Sequence, residues 1–230
     1  MDGMTDLQLA AVLWDMDGTL IDSEPLWLEA ESQMLERYGL RMTPELAEGM
    51  IGTGLWDAAE RFRSLGVPMS ADEIVAEWVA YTGRGIDAGG IDWRPGAREV
   101  LGSLREAGVP CALVTMAVRA IAERVSALLP AGTFGAIVAG DDVECAKPHP
   151  EAYLRGADAL GVPIRSCLAF EDSGTGLRAA SASGAVAIGV TNLVDLSRAP
   201  AHAIWPTLAG ADADALRAAF RSLRSLDLPA

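Results

Sequence analysis

Short apolar runs and amphipathic stretches alternate along this chain. Runs too short for helices, bounded by polar, Gly or Pro residues, predict strands at 10–15, 110–115, 136–139, 166–170 and 185–190, with a short sixth at 203–205. Between them the apolar period lengthens to that of a helix. Residues 96–107 place Ala97, Val100, Leu101 and Leu104 on one face, and 117–129 repeat that spacing. A helix at 151–160 follows Pro148 and Pro150, and another at 173–183 begins in a Ser/Gly/Thr cluster suited to an N-cap. Strands alternating with helices predict an α/β fold built on a doubly wound parallel sheet.

One segment interrupts the rhythm. Residues 24–38, 44–50, 55–65 and 71–83 read as four helices with no strand among them. Thr43-Pro44 has the form of an N-cap followed by proline at the first helical position. Ser70 and Glu73 fit a capping box, ahead of a face made by Ile74, Val75, Trp78, Val79 and Thr82. Glycines at Gly83-Arg84-Gly85 and Gly89-Gly90 suit the end of this segment and a hinge. The expected organisation is a core of residues 1–22 and 90–230, carrying an all-helical insert at 23–89.

Half of the 230 residues are apolar and 22% are charged, as in a soluble globular protein. A net charge of −14 argues against nucleic acid or an anionic membrane as partner. No apolar run approaches the roughly 18–20 residues of a membrane span. The acidic residues among 1–6 do not fit a signal peptide. Cys111, Cys145 and Cys167 read as reduced cysteines of a cytoplasmic protein without metal-ligand spacing, and His149 and His202 read as isolated. An anionic substrate would be repelled by the whole molecule, so its attraction must come from a bound cation and a few placed basic groups.

The chemistry concentrates at predicted strand ends. Asp15 and Asp17 leave the first strand together, just before Gly18. Thr115 closes the second run, Lys147 follows the third, and Glu171 with Asp172 closes the fourth. In a parallel sheet those ends share one edge, where ligands bind. Lys147 is the sole lysine beside seventeen arginines, which suggests a role for a compact ammonium. Such a set suits phosphoryl transfer. Asp15 and Asp172, with the backbone carbonyl of Asp17, would hold Mg²⁺, and Glu171 would support or replace Asp172. Asp15 would attack phosphorus while Asp17 acts as general acid and base. Thr115 and Lys147 would bind the phosphate.

Asp15-x-Asp17-Gly18-Thr19, Thr115, Lys147-Pro148 and Glu171-Asp172-Ser173 resemble, in order, the four motifs of the haloacid dehalogenase superfamily. Asp22-Ser23-Glu24-Pro25 and the helical insert resemble its branch with phosphoglycolate phosphatase and β-phosphoglucomutase. The resemblance implies a Rossmann-like core with an inserted helical cap, Mg²⁺ as cofactor, and hydrolysis of small phosphorylated metabolites through an aspartyl-phosphate. Three positions depart from it. Met116 follows Thr115 where many relatives have asparagine, and Trp27 stands where the sugar phosphomutases carry histidine. In Gly52-Thr53-Gly54-Leu55, leucine replaces their phosphate-binding arginine. A mutase must grip a second phosphate, so the departures at Trp27 and Leu55 favour a phosphatase over a phosphosugar mutase. A haloalkanoate dehalogenase needs no second acid, which the intact Asp17 argues against. A phosphorylated receiver module, the non-enzymatic alternative, carries its phosphoryl group on the third strand and has no helical insert.

Overall fold

The computed structural model describes residues 8–50 and 54–226; the acidic N-terminus and Gly52-Thr53 lie outside them. In chain order the strands are β1 (Ala11–Trp14), β2 (Ile21–Asp22), β3 (Asp92–Trp93), β4 (Cys111–Val114), β5 (Ala136–Val138), β6 (Cys167–Glu171), β7 (Val186–Val190) and β8 (Ala203–Trp205). The longer helices are α1 (Glu24–Arg37), α2 (Pro44–Glu48), α3 (Leu55–Leu65), α4 (Ala71–Asp87), α5 (Ala97–Glu106), α6 (Arg119–Ala127), α7 (Glu151–Ala159), α8 (Gly174–Ser183) and α9 (Ala213–Leu226). The chain divides into two compact units, one of Met1–Asp22 with Trp93–Ala230 and one of Ser23–Asp92.

The larger unit holds a six-stranded sheet in the order β5-β4-β1-β6-β7-β8, parallel throughout. This is the doubly wound, Rossmann-like arrangement that the alternation of elements predicts. Every residue of β1, β4, β6 and β7 is buried, which is why these strands read as unbroken apolar runs and not as alternating ones. Trp14 and Phe170 are register partners on β1 and β6, and their rings stack with centroids 4.4 Å apart. From β1 the chain winds outward through β4 and β5, then returns to lay β6, β7 and β8 on the other side. The order therefore reverses between β1 and β6, and the crevice beyond their carboxyl ends is the expected ligand position.

The smaller unit is helical and has a core of its own. Met34, Leu35, Phe62, Ile74 and Trp78 are completely buried, with Phe62 set edge-on to Trp78 at 4.8 Å. Ser70 and Glu73 form the capping box expected of them, and the Thr43 hydroxyl caps α2 by accepting from Leu46 N at 3.2 Å.

One sequence expectation fails here. The fourth helix was expected to stop at Gly83, but α4 runs through Gly83 and Gly85 to Asp87. A Cβ at position 85 would lie 2.6 Å from Leu26 Cδ2, so this glycine admits the close approach of α1 instead of breaking the helix. The stop comes at Gly89, whose φ of +80° lies in the left-handed region. The amphipathic α9 and the two-residue pair β2–β3 were also not foreseen. The latter is too short to show a period. No helix among the described residues is long and apolar enough to cross a membrane.

Candidate active site

Register brings the predicted residues to one edge. Trp14 pairs with Leu113 of β4 and with Phe170 of β6, so Asp15, Thr115 and Glu171 all follow closely on neighbouring strand ends. Asp15 N donates to Phe170 O at 3.0 Å, which holds the first acid against β6. Gly18 then turns the chain at φ +82°. A Cβ there would sit 2.0 Å from an Asp172 carboxylate oxygen, so the position admits only glycine.

At the centre lies Lys147. Its ammonium donates to Asp15 Oδ1 at 2.8 Å, to Glu171 Oε1 at 2.7 Å and to Val114 O at 2.9 Å, which uses all three of its protons. The side chain is 5% exposed, and the ammonium lies over the Tyr153 ring, 5.0 Å from its centroid. Burial alone would lower its pKa, but the charges of Asp15 and Glu171 outweigh that and raise it.

Asp15 is pinned at both oxygens, since Oδ2 accepts from the Thr19 hydroxyl at 3.0 Å. Glu171, only 1% exposed, accepts from Lys147 and from the Tyr153 hydroxyl at Oε1, the latter at 2.7 Å. Its Oε2 accepts from the Ser173 hydroxyl at 3.0 Å, and that oxygen in turn takes Gly176 N at 2.9 Å as the cap of α8. Asp172 Oδ2 accepts from the Asn192 amide at 3.0 Å. Asp17 is bonded across the edge by Thr115, whose hydroxyl donates to Oδ2 at 3.2 Å and accepts from Ala117 N at 3.0 Å.

Carboxylate oxygens of Asp15, Glu171 and Asp172 all lie within 4.8 Å of one another. Burial, and then the charge of Glu171, pushes Asp15 well above the usual carboxylate range. The same two causes push Asp172 up to about 7. Three acids facing a single ammonium leave negative charge uncompensated. A hard divalent cation is what such an oxygen donor set fits. The Asp17 carboxylate is not one of the three, so a ligand from this residue would be its backbone carbonyl.

All six predicted residues (Asp15, Asp17, Thr115, Lys147, Glu171 and Asp172) therefore meet at this edge of the larger unit. Tyr153 and Asn192 belong to the same network and escaped the sequence reading. Tyr153 sits among apolar residues of α7 and looks like core, and Asn192 follows β7 without a motif around it. The one available signal was positional, because Asn192 lies two residues beyond a strand end.

His149 has neighbours that the sequence reading did not place beside it. His149 was read as isolated and the cysteines as lacking metal-ligand spacing, yet Cys145, His149 and Glu151 offer ligand atoms within 4.8 Å of one another. The chain turns back between Cys145 and α7, which brings these three residues of one short segment together.

Residues 9–184 match the haloacid dehalogenase-like hydrolase family. The protein CbbY of Rhodobacter capsulatus is 33% identical over 189 residues, covering 77% of this chain and 83% of that protein. Validoxylamine A 7'-phosphate phosphatase of Streptomyces hygroscopicus subsp. limoneus is 32% identical over 186 residues, covering 80% of this chain and 86% of that enzyme. The crystal structure of CbbY from Rhodobacter sphaeroides in complex with phosphate superposes with a TM-score of 0.82 at 24% identity, over 91% of this chain and 99% of that one.

Proposed function

Since the chain belongs to the haloacid dehalogenase-like hydrolase family, we propose that it is a Mg²⁺-dependent phosphatase hydrolysing small-molecule phosphate monoesters through an aspartyl-phosphate on Asp15. The observation that carries the reading is Asp15 itself, fixed at both oxygens on a strand end and set between Lys147 and the Glu171-Asp172 pair. The activity of one relative on a phosphate ester, and the complex of another with phosphate, support it.

Asp15 attacks phosphorus, forming a carboxylate O–P bond as the ester P–O bond breaks. Asp17 gives its proton to the leaving alkoxide, then removes one from the water that cleaves the acyl-phosphate and restores Asp15. The Thr115 hydroxyl exchanges its bond to Asp17 for a phosphate oxygen. Lys147, with all three protons held by the protein, acts chiefly through its charge and by orienting Asp15. The carboxylates of Asp15 and Asp172 and the backbone carbonyl of Asp17 would hold Mg²⁺, which when bound neutralises charge on the phosphate oxygens. Glu171 is committed to three protein donors and supports the site, whereas Asp172 receives one amide. The helical unit, residues 23–89 as read from the sequence, serves as the cap that selects the leaving group, and the protein works in the cytoplasm on a phosphorylated metabolite.

A phosphosugar mutase is disfavoured by Trp27 and Leu55, which replace groups needed to grip a second phosphate. The receiver-module reading is set aside because the family match runs continuously from 9 to 184, through the helical unit. A panel of sugar, nucleotide and glycolate phosphates, assayed for phosphate release, tests the proposal. Hydrolysis should stop on adding EDTA and return with Mg²⁺. Asp15→Asn should lose at least about a thousandfold in kcat, as removal of a nucleophile does elsewhere. Full activity in that variant would overturn the mechanism.

A further inference from the structure

We propose that Cys145, His149 and Glu151 form a second metal site, for a borderline-soft ion of the Zn²⁺ class, on the loop that carries Lys147. Their ligand atoms lie within 4.8 Å of one another. Ligands bound to one ion at roughly 2.0–2.3 Å stand about 3–4 Å apart, a distance that small side-chain rotations reach from here. A thiol, an imidazole and a carboxylate form a mixed S/N/O set, which suits Zn²⁺ and not the hard Mg²⁺ of the all-oxygen cluster.

The loop is already organised around the carboxylate. Glu151, the first residue of α7, accepts from Glu144 N at 3.0 Å through Oε1 and from Cys145 N at 2.9 Å through Oε2. Arg155 holds Oε1 from the next turn of α7, at 2.6 Å. Those three donors leave one of the roughly four acceptor positions of a carboxylate for an ion. His149 Nδ1 accepts from Glu151 N at 3.3 Å, which seats the imidazole beside the residue that carries the carboxylate. His149 N is tied to Ala146 O at 3.0 Å, which fixes the chain between the two softer ligands. Cys145 and His149 are both exposed, and an ion reaches them directly from solvent. On binding, a sulfur–metal bond forms, the S–H bond breaks and its proton passes to solvent, while the imidazole binds in its neutral form.

Cobalt(II) makes the site visible, because a thiolate ligand gives it an intense near-ultraviolet charge-transfer band. Cys111 and Cys167 are buried at 2% and 0% exposure, so such a band reports on Cys145. Co²⁺ titrated into the reduced full-length protein under saturating Mg²⁺ should develop the band to one ion per chain, and one equivalent of Zn²⁺ should abolish it. Cys145→Ser should remove it entirely, and His149→Ala should weaken Co²⁺ affinity at least tenfold, with melting temperature and phosphate-ester hydrolysis unchanged in both variants. The site is overturned by absence of the band in the wild type, by its survival in Cys145→Ser, or by unaltered affinity in His149→Ala. None of those results bears on the phosphatase reading, which rests on other residues.

Discussion

At the scale of single residues, the acid cluster depends on what is missing beside it as much as on what is there. A Cβ on Gly176 would lie 1.8 Å from the Glu171 carboxylate, so the first turn of α8 passes over that acid only because residue 176 has no side chain. Gly176→Ala should destabilise the fold by about 1–3 kcal/mol, as overpacking does, and should cut hydrolysis more than tenfold by displacing Glu171. Gly102, within α5, has nothing within 4 Å of a built Cβ, and Gly102→Ala should instead gain about 0.5–1 kcal/mol. Urea melts and phosphate-release rates on the two variants check the contrast; equal effects would show that Glu171 has room to move. The sequence reading took the Ser/Gly/Thr cluster at the start of α8 merely as suited to an N-cap, since a clearance above a buried acid leaves no trace in spacing. The same holds for Tyr153, which looked like ordinary core and donates its hydroxyl to Glu171.

At the scale of elements, the helical unit carries a buried acid among apolar neighbours. Glu31 on α1 is 8% exposed, and burial, with the charge of Glu24 adding to it, raises its pKa from 4.5 to about 7. Because the folded value is the higher one, the folded state holds the proton more tightly than the unfolded chain. The resulting stability is fully present below pH 4.5 and is lost as pH rises through 7. Glu31→Gln should therefore leave melting near pH 5 little changed and stabilise the unit at pH 8 by roughly 1–3 kcal/mol. Thermal melts at the two pH values measure this, and a gain of equal size at both would sink the assignment. Strands and most helices were legible because buried parallel strands are apolar end to end and caps have residue signatures. The length of α4 was not, because a glycine that ends a helix and one that lets two helices approach are the same letter.

At the scale of the whole molecule, a net charge of −14 surrounds a site meant for anions. Added salt should screen that repulsion, so kcat/KM for a phosphate monoester should rise from low ionic strength to about 0.15 M, where the screening length is near 8 Å. A steady fall with neutral salt would mean that local positive potential dominates the approach. The chain's order of residues was enough to determine the alternation of strand and helix, the helical insert, and which acids, hydroxyl and ammonium to expect at the strand ends. Those features are local, written in periodicity and in motifs of a few residues. Only tertiary structure decided that Lys147 bonds both Asp15 and Glu171, that Tyr153 and Asn192 brace the acids, and that Cys145 meets His149. The contacts of Lys147, Tyr153 and Asn192 join positions from 18 to 132 residues apart through sheet order, and no local pattern encodes where a distant residue will arrive; Cys145 and His149 stand only four apart, and the turn between them decides their meeting.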